Sequence, residues 1–186
     1  MASTLTTLSA VRGYLGLSEG DGHDALLEAL IARVSDGIAR YVGQDLALQS
    51  YEESHDGGAD TVILLRRPVA SVWTLSDDGA PLEADEYALY PEAGVIRRKS
   101  GAFAAGERTV AVGYRAGYSP LPGDVEQAAV EWVAHKFASR GPAAGRGVTE
   151  ERVGDYSVSY DDARDVPERV RAALDRYRDA VARAVR

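Results

Sequence analysis

One stretch, residues 109–140, constrains the fold of this chain more than any other. It reads TVAVGYRAGYSPLPGDVEQAAVEWVAHKFASR and begins as a strand in which larger apolar residues alternate with small ones. Its two prolines and the glycines around them then exclude both a helix and a central strand. Asp124 stands where a helix N-cap is expected, and Gln127 three residues later completes a capping box. The helix that follows is apolar around most of its circumference, which predicts that it is buried.

Two helices are predicted before this central helix. A short amphipathic one is capped by Thr7 and stopped by Gly16. A long one is capped by Asp24 and ends at Gly43. Gly37 lies inside the long helix, where glycine costs about 1 kcal/mol relative to alanine. Two explanations stay open for this glycine: a close crossing of two helices, or no structural role.

Between residues 46 and 114 the pattern is typical of short strands. Asp56–Gly58 and Asp77–Gly79 have the composition of tight hairpin turns. The chain is therefore predicted to be an α+β protein. In it, a small helical core (two N-terminal helices plus the buried central helix) packs on a short-stranded antiparallel β region, with a protruding C-terminal helix.

The segment after the central helix has two parts. Residues 141–151 are rich in Gly, Ala and Pro and are predicted to form a mobile loop. Its glycines do not suit a phosphate site, because the loop follows a helix and no Gly-Lys-Ser/Thr ends it. An alternating segment follows, with Tyr156, Val158 and Tyr160 on one face.

The last helix opens at Pro167, a residue favoured at the first helical position. Its apolar residues form a narrow stripe close to a coiled-coil seam. We therefore expect residues 1–160 to form the core domain and residues 161–186 to form an arm. The arm is expected to be dispensable for folding and needed for docking to a partner.

Composition excludes several function classes. The net charge of −8 argues against a protein that coats nucleic acid, which would need clustered Lys and Arg. There are no cysteines, and hence no disulfides or thiolate metal sites. No apolar run reaches membrane-spanning length, and the N-terminus lacks the features of a signal peptide. We expect a protein kept in the cytosol or in a particle assembled there.

Residues that could carry chemistry lack the spacing that chemistry requires. The three histidines are His23, His55 and His135. No His-x-x-x-His spacing joins them, and Ser157 and Ser159 lack a Gly-x-Ser-x-Gly context. Asp161–Asp162 is better explained as a solvated turn than as a catalytic pair, and residues 18–23 lack the acidic spacing of a calcium loop. The sequence predicts no enzyme, no metal and no cofactor.

The succession of motifs resembles that of the head–tail connector (adaptor, or head-completion) proteins of tailed bacteriophages and gene-transfer particles. The resemblance covers roughly residues 5–181. Its motifs, in order, are Glu53, Gly57, the apolar strand from Val62 to Leu65, the Arg67-Pro68-Val69 tripeptide, the Asp78-Gly79 turn, Tyr87, the Tyr-x-Ala-Gly-Tyr that ends the strand at Tyr118, a Pro-containing turn and an Ala-rich helix that ends in Arg.

This resemblance implies a structural virion protein at the head–tail interface, assembled in the host cytoplasm. Copies of the chain would form a ring, a dodecamer, on the portal protein, and a stopper or tail-completion protein would attach to the ring. Genome DNA would pass through without sequence-specific binding, and no membrane is involved. A ring of acidic chains suits this role, because it repels phosphates.

The resemblance also implies which residues meet which partner. The C-terminal helix would engage the portal through Val170, Leu174, Tyr177, Arg178 and Val181. Neighbouring subunits would meet through the sheet and the mobile loop, at Arg146, Tyr156, Val158 and Tyr160. Two alternatives remain open: a small α+β enzyme or ligand-binding domain with a pocket between central helix and sheet, and a neighbouring tail-completion or stopper protein.

Overall fold

The computed structural model describes residues 3–139 and 166–182, except for the side chains of residues 179–182. The helices are α1 (Leu8–Leu15), α2 (Asp24–Val42), α3 (Gly123–Ala138) and α4 (Glu168–Ala182). The strands are β1 (Gln49–His55), β2 (Thr61–Ile63), β3 (Val69–Asp77), β4 (Ala80–Pro81), β5 (Tyr87–Tyr90), β6 (Val95–Arg98) and β7 (Val110–Ala116). The chain is thus a mixed α+β fold with a C-terminal helix, as predicted.

The chain divides into two compact units. A helical unit contains the residues up to Tyr41 and those from Pro122 to Arg176, and a sheet unit contains residues from Val42 to Leu121 and those from Tyr177 onward. The boundary expected at residue 160 lies in a part of the chain outside the described residues and stays a prediction. The first half of α4 belongs to the helical unit.

The ends of the N-terminal helices largely match the sequence pattern. Thr7 caps α1, because its hydroxyl accepts a hydrogen bond of 3.2 Å from the backbone N–H of Ala10. Gly16 ends α1 in the left-handed conformation, with φ 67°. Asp24 is the first residue of α2 instead of its cap, and its carboxylate accepts hydrogen bonds from the guanidinium of Arg12.

Helix α3 is the buried helix of the chain, as predicted, but it starts differently. The buried residues are Val125, Ala128, Ala129, Val130, Trp132, Val133 and Ala134. Pro122 stands at the N-cap without a side-chain hydrogen bond, and Gln127 donates to Glu131 at 2.9 Å. The predicted capping box is therefore wrong. The carbonyl of Pro122 accepts the first helical bonds, which places Asp124 in the first turn instead of at the cap.

The sheet unit contains two antiparallel sheets. Their strand orders are β1-β7-β3-β4 and β2-β6-β5. Buried side chains of both sheets form one core, whose members are Val62, Leu64, Val69, Leu75, Ile96, Phe103, Val110, Val112, Tyr114 and Ala116. Inward and outward side chains alternate along β7, as expected for a strand that covers a core on one face.

Of the two predicted hairpins, one is present. Asp77–Gly79 joins β3 to β4, with Asp78 and Gly79 both at positive φ, which suits a tight hairpin turn. Residues 56–58 do not join a hairpin, because β1 pairs with β7 and β2 pairs with β6. The turn instead carries the chain from one sheet to the other. None of the helices in the described residues is both long and apolar enough to cross a bilayer.

Candidate assembly surfaces

The C-terminal helix packs into the folded chain through its first half. Val170 and Leu174 are 1% and 0% exposed. Val166, just before the helix, is also buried, at 4%. The sequence predicts that the apolar stripe of this helix binds a partner protein. In the described structure its first two members are already covered.

Two polar contacts fix the same half of α4 within the helical unit. The carboxylate of Asp175 accepts a hydrogen bond from the hydroxyl of Tyr41 at the end of α2. The guanidinium of Arg176 forms an ion pair with Asp124 in the first turn of α3. Asp124 thus serves a long-range contact instead of the local cap predicted from the sequence.

The remaining residues predicted to bind the portal have different environments. Tyr177 is half-buried, and its ring meets that of Tyr118 edge-on at a centroid distance of 5.7 Å. Arg178 is exposed. Val181 lies among the residues whose side chains are not described. The five residues therefore do not form one exposed seam, and the expectation that Val170 and Leu174 are free for a partner needs correction.

The residues predicted to join neighbouring subunits are Arg146, Tyr156, Val158 and Tyr160. All four lie outside the described residues, together with the loop at 141–151, the serines at 157 and 159 and the aspartates at 161 and 162.

A polar cluster in the sheet unit centres on Glu53 of β1. Its carboxylate accepts hydrogen bonds from the hydroxyl of Tyr114 and from the backbone N–H of Leu65, the latter at 3.2 Å. It also lies 2.9 Å from the Nε2 atom of His55. The Tyr114 hydroxyl in turn accepts a hydrogen bond of 3.1 Å from the backbone N–H of Arg66.

This cluster shifts the ionisation of both of its acidic members. Burial disfavours the charge on Glu53, but the hydrogen bonds from His55, Tyr114 and the Leu65 N–H outweigh burial, so the pKa of Glu53 lies below its ordinary value. Burial, followed by the bond to the Glu53 carboxylate, raises the pKa of Tyr114.

The arrangement is suited to joining strands. Glu53 lies on β1, Tyr114 on β7, and Leu65 and Arg66 follow β2, so the contacts connect the two sheets. Both carboxylate oxygens already have donors. The glutamate that carries part of the family resemblance is therefore a link between sheets.

A second motif position is explained in the same way. The side-chain amide of Gln44 donates to the carbonyl of Arg67 at 2.6 Å and accepts from the backbone N–H of Arg67 at 3.3 Å. Both residues are buried. Gln44 was not singled out from the sequence, because a single Gln between a helix and a strand carries no recognisable pattern. Its partner lies 23 residues further along the chain.

The histidines do not converge. His23 packs edge-on against Phe137, His55 contacts Glu53, and His135 is exposed. In residues 3–139 and 166–182, no group of three or more His, Cys, Asp or Glu side chains is arranged to hold a metal ion.

Comparison with known families tests the resemblance drawn from the motifs. The sequence model of the head completion protein family matches residues 4–180. The chain belongs to the head completion protein family. The match spans both units, and it confirms the resemblance stated from the motifs, together with the structural role of a head–tail connector in the virion. Among curated proteins, none matches the chain.

Solved structures similar to this member of the family come from gene transfer agent (GTA) particles. The neck of an empty GTA particle, computed with C6 symmetry, contains a chain 20% identical to this one, with a TM-score of 0.61; the match covers 91% of this chain and 87% of that one. The neck of a native particle, computed with C12 symmetry, gives 21% identity, a TM-score of 0.55, and 92% and 87% coverage. A chain of the native GTA virion gives 20% identity, a TM-score of 0.59, and 96% and 92% coverage. At this identity the likeness concerns the fold.

Proposed function

We propose that copies of this chain form a ring on the portal and provide the platform to which a stopper or tail-completion protein attaches. The match of the head completion family to residues 4–180 is the observation that carries this proposal. Chains of similar fold in GTA necks computed with C6 and C12 symmetry support a cyclic assembly with twelve copies. The ring would act mechanically and electrostatically, without making or breaking a bond.

The C-terminal helix is our candidate for the contact with the portal. Because Val170 and Leu174 are buried, we assign them the task of holding the helix on its own subunit. The partner would then meet the later part of the helix, from Tyr177 through Arg178 to Val181. Arg178 is exposed and positively charged, and such a residue favours an acidic partner surface.

Neighbouring subunits are proposed to meet by strand addition, with Arg146, Tyr156, Val158 and Tyr160 contributed by one subunit. The sheet unit offers acceptor edges for such a strand. β1 lies at one edge of the four-stranded sheet. β3 pairs with β4 only at Ser76 and Asp77, so its earlier residues have a neighbouring strand on one side only within the described part of the chain.

Passage of the genome is consistent with the charge of the chain. Each subunit has a net charge of −8. Multiplied around a ring, this charge repels phosphates, so DNA would slide through the channel without being held.

The proposal is tested by attachment of the chain to tailless heads. Heads from a strain that lacks this chain should bind the purified wild-type protein and then accept tails. Arg178→Glu should reduce binding at least tenfold, whereas Arg33→Glu, at another exposed arginine, on α2, should not. Wild-type protein that does not bind heads, or heads that mature without it, would contradict the proposed function.

A further inference from the structure

Trp73 presents an exposed indole on the outer face of the four-stranded sheet. It is 48% exposed and lies at an irregularity in the pairing of β3 with β7. Its ring covers Gly113, because a Cβ on that glycine would lie 2.5 Å from the indole Nε1. Gly113 alternates with the inward-facing Val112 and Tyr114, so the indole lies on the face that points away from the core.

Outward-facing side chains of three strands surround the indole. The exposed neighbours on β1, β7 and β3 are Ser50, Glu52, Ser54, Ala111, Arg115, Ser71 and Thr74. Most of them are small, so the indole stands on a platform of short side chains. We refer to this face as the tryptophan platform.

A second apolar surface lies on the outer face of the three-stranded sheet. Ile63 and Tyr90 both pair with Val95, so the three form one row across the strands. The next row, Val62, Leu89 and Ile96, faces the core, which turns the Ile63 row outward. Ile63 is 50% and Tyr90 48% exposed, and Leu65, two residues beyond Ile63, is 65% exposed. We refer to the exposed members of this row, Ile63 and Tyr90, together with Leu65, as the aliphatic row, after its two aliphatic side chains.

These two surfaces account for four of the five large apolar side chains that are exposed in the described part of the chain; the fifth is Tyr14. Because the two sheets share one core, their outer faces point in opposite directions. The two surfaces also differ in composition, one being a single indole among mostly small side chains and the other a set of three large apolar side chains.

We infer that the aliphatic row of one copy of this chain docks on the tryptophan platform of the next copy in the ring. The inference rests on the proposed ring. A cyclic assembly of more than two copies needs two different surfaces on each subunit, one for each neighbour. Two unlike apolar surfaces on opposite faces meet that need, whereas a two-fold dimer would use a single self-complementary surface. Tryptophan and tyrosine are also the residues most often found at the centre of protein interfaces.

The size of the platform agrees with a contact of this kind. The three long strands of this sheet, about 4.8 Å apart and seven to nine residues in length, cover roughly 350 Å². One partner of a standard interface contributes about 800 Å². The two faces would therefore supply about half of the contact between neighbouring subunits, and the strand addition proposed above would supply the rest.

Crosslinking in assembled necks tests the inference. Because the chain has no native cysteines, only the introduced thiols of this protein can react. Thr74→Cys places a thiol on the tryptophan platform, and Arg97→Cys places one on the outer face beside the aliphatic row. With a short bis-maleimide reagent, the double variant should give a ladder of covalent oligomers that ends at the closed ring. Either single variant alone should give none. The matched control combines Thr74→Cys with Ala105→Cys, an exposed residue elsewhere in the sheet unit, and should give no ladder.

Substitution at the platform gives a second readout. Trp73→Asp should lower incorporation into necks at least tenfold while the isolated chain keeps its circular dichroism spectrum. Tyr14→Asp, at a side chain of similar exposure in the helical unit, should incorporate normally. If Trp73→Asp does not fold, Leu65→Asp applies the same test from the opposite surface.

The outcomes separate the inference from the proposed function. Wild-type protein that enters necks while the double-cysteine variant enters them without forming a ladder would overturn the inference and leave the connector role intact. Normal incorporation of Trp73→Asp or Leu65→Asp would overturn it as well. A wild-type chain that forms no ring in necks would contradict both.

Discussion

Gly37 of α2 lies directly beneath the indole of Trp132 of α3. A Cβ at this glycine would lie 2.8 Å from the Cη2 atom of the ring, closer than real Cβ atoms come to a neighbour. Trp132 is 1% exposed and belongs to the buried face of α3. Of the two explanations left open for this glycine, the close helix crossing is therefore the right one, and it lies in the helical unit.

Gly37→Ala should destabilise the protein despite the better helix propensity of alanine. Overpacking against a buried ring costs about 1–3 kcal/mol, and the gain in propensity is about 1 kcal/mol, so we expect a net loss of about 1 kcal/mol. The measurement is the free energy of unfolding in urea. Gly13→Ala in α1 is the matched control, because nothing lies within 4 Å of its Cβ position, and it should stabilise the protein slightly. Equal stabilisation by both substitutions would show that the crossing is not tight.

Glu53→Gln should remove part of the acid sensitivity of the fold. The folded-state pKa of Glu53 is depressed below the ordinary value of 4.5. The stabilisation is therefore present above about pH 4.5 and is lost as the pH falls through the lower, folded-state pKa. The wild-type protein should lose more stability than the variant across that window, measured as the urea midpoint at a series of pH values.

The control for this substitution is Glu52→Gln, on the same strand but exposed. It should leave the wild-type pH profile unchanged. A Glu53→Gln profile parallel to that of the wild type from neutral pH to pH 3 would rule out Glu53 as a source of the acid sensitivity.

Tyr114→Phe should cost about 1–3 kcal/mol, because it leaves the half-buried Glu53 carboxylate with one donor fewer and the Arg66 N–H without its acceptor. Tyr90→Phe, at an exposed ring, should change the free energy of unfolding by less than about 0.5 kcal/mol. Similar small effects at both positions would indicate that the hydroxyl of Tyr114 does not join the sheets.

The C-terminal helix should contribute to folding through Leu174. This side chain is fully buried, and Leu→Ala at such a site costs about 2–5 kcal/mol. Arg169→Ala, at an exposed position on the same helix, should cost no more than about 0.5 kcal/mol. This expectation replaces the sequence-based one that the helix is dispensable for folding. An unchanged melting temperature after truncation of the chain at Asp165 would show instead that the helix is dispensable for folding.

Patterns that repeat over several turns of a helix were the most predictive part of the sequence. The bounds of α2 and the burial of α3 follow from apolar spacing, and Thr7 and Gly16 act locally as caps. The capping box at Asp124 failed because Pro122 can also begin a helix, and a single sequence does not rank the two starts. Asp124 instead forms an ion pair with Arg176, more than fifty residues later in the chain.

Contacts between distant parts of the chain could not be predicted from such local patterns. Glu53 and Tyr114 lie 61 residues apart, so no local sequence pattern predicts the hydrogen bond between them. The turn at 56–58 has hairpin composition, but β1 finds its partner in β7 instead. An apolar stripe such as that of α4 shows that a face will be covered. It does not show whether the cover comes from the same chain or from another, and Val170 and Leu174 are covered within this one.

We propose that this chain lies at the junction of head and tail, and a cryo-EM map of the neck at side-chain resolution tests that position most directly. We expect a closed ring of copies of this chain between the portal and the first tail component, with α4 of each copy against the portal. A map in which the density at this level belongs to another protein, or in which this chain lies elsewhere in the particle, would contradict this proposal.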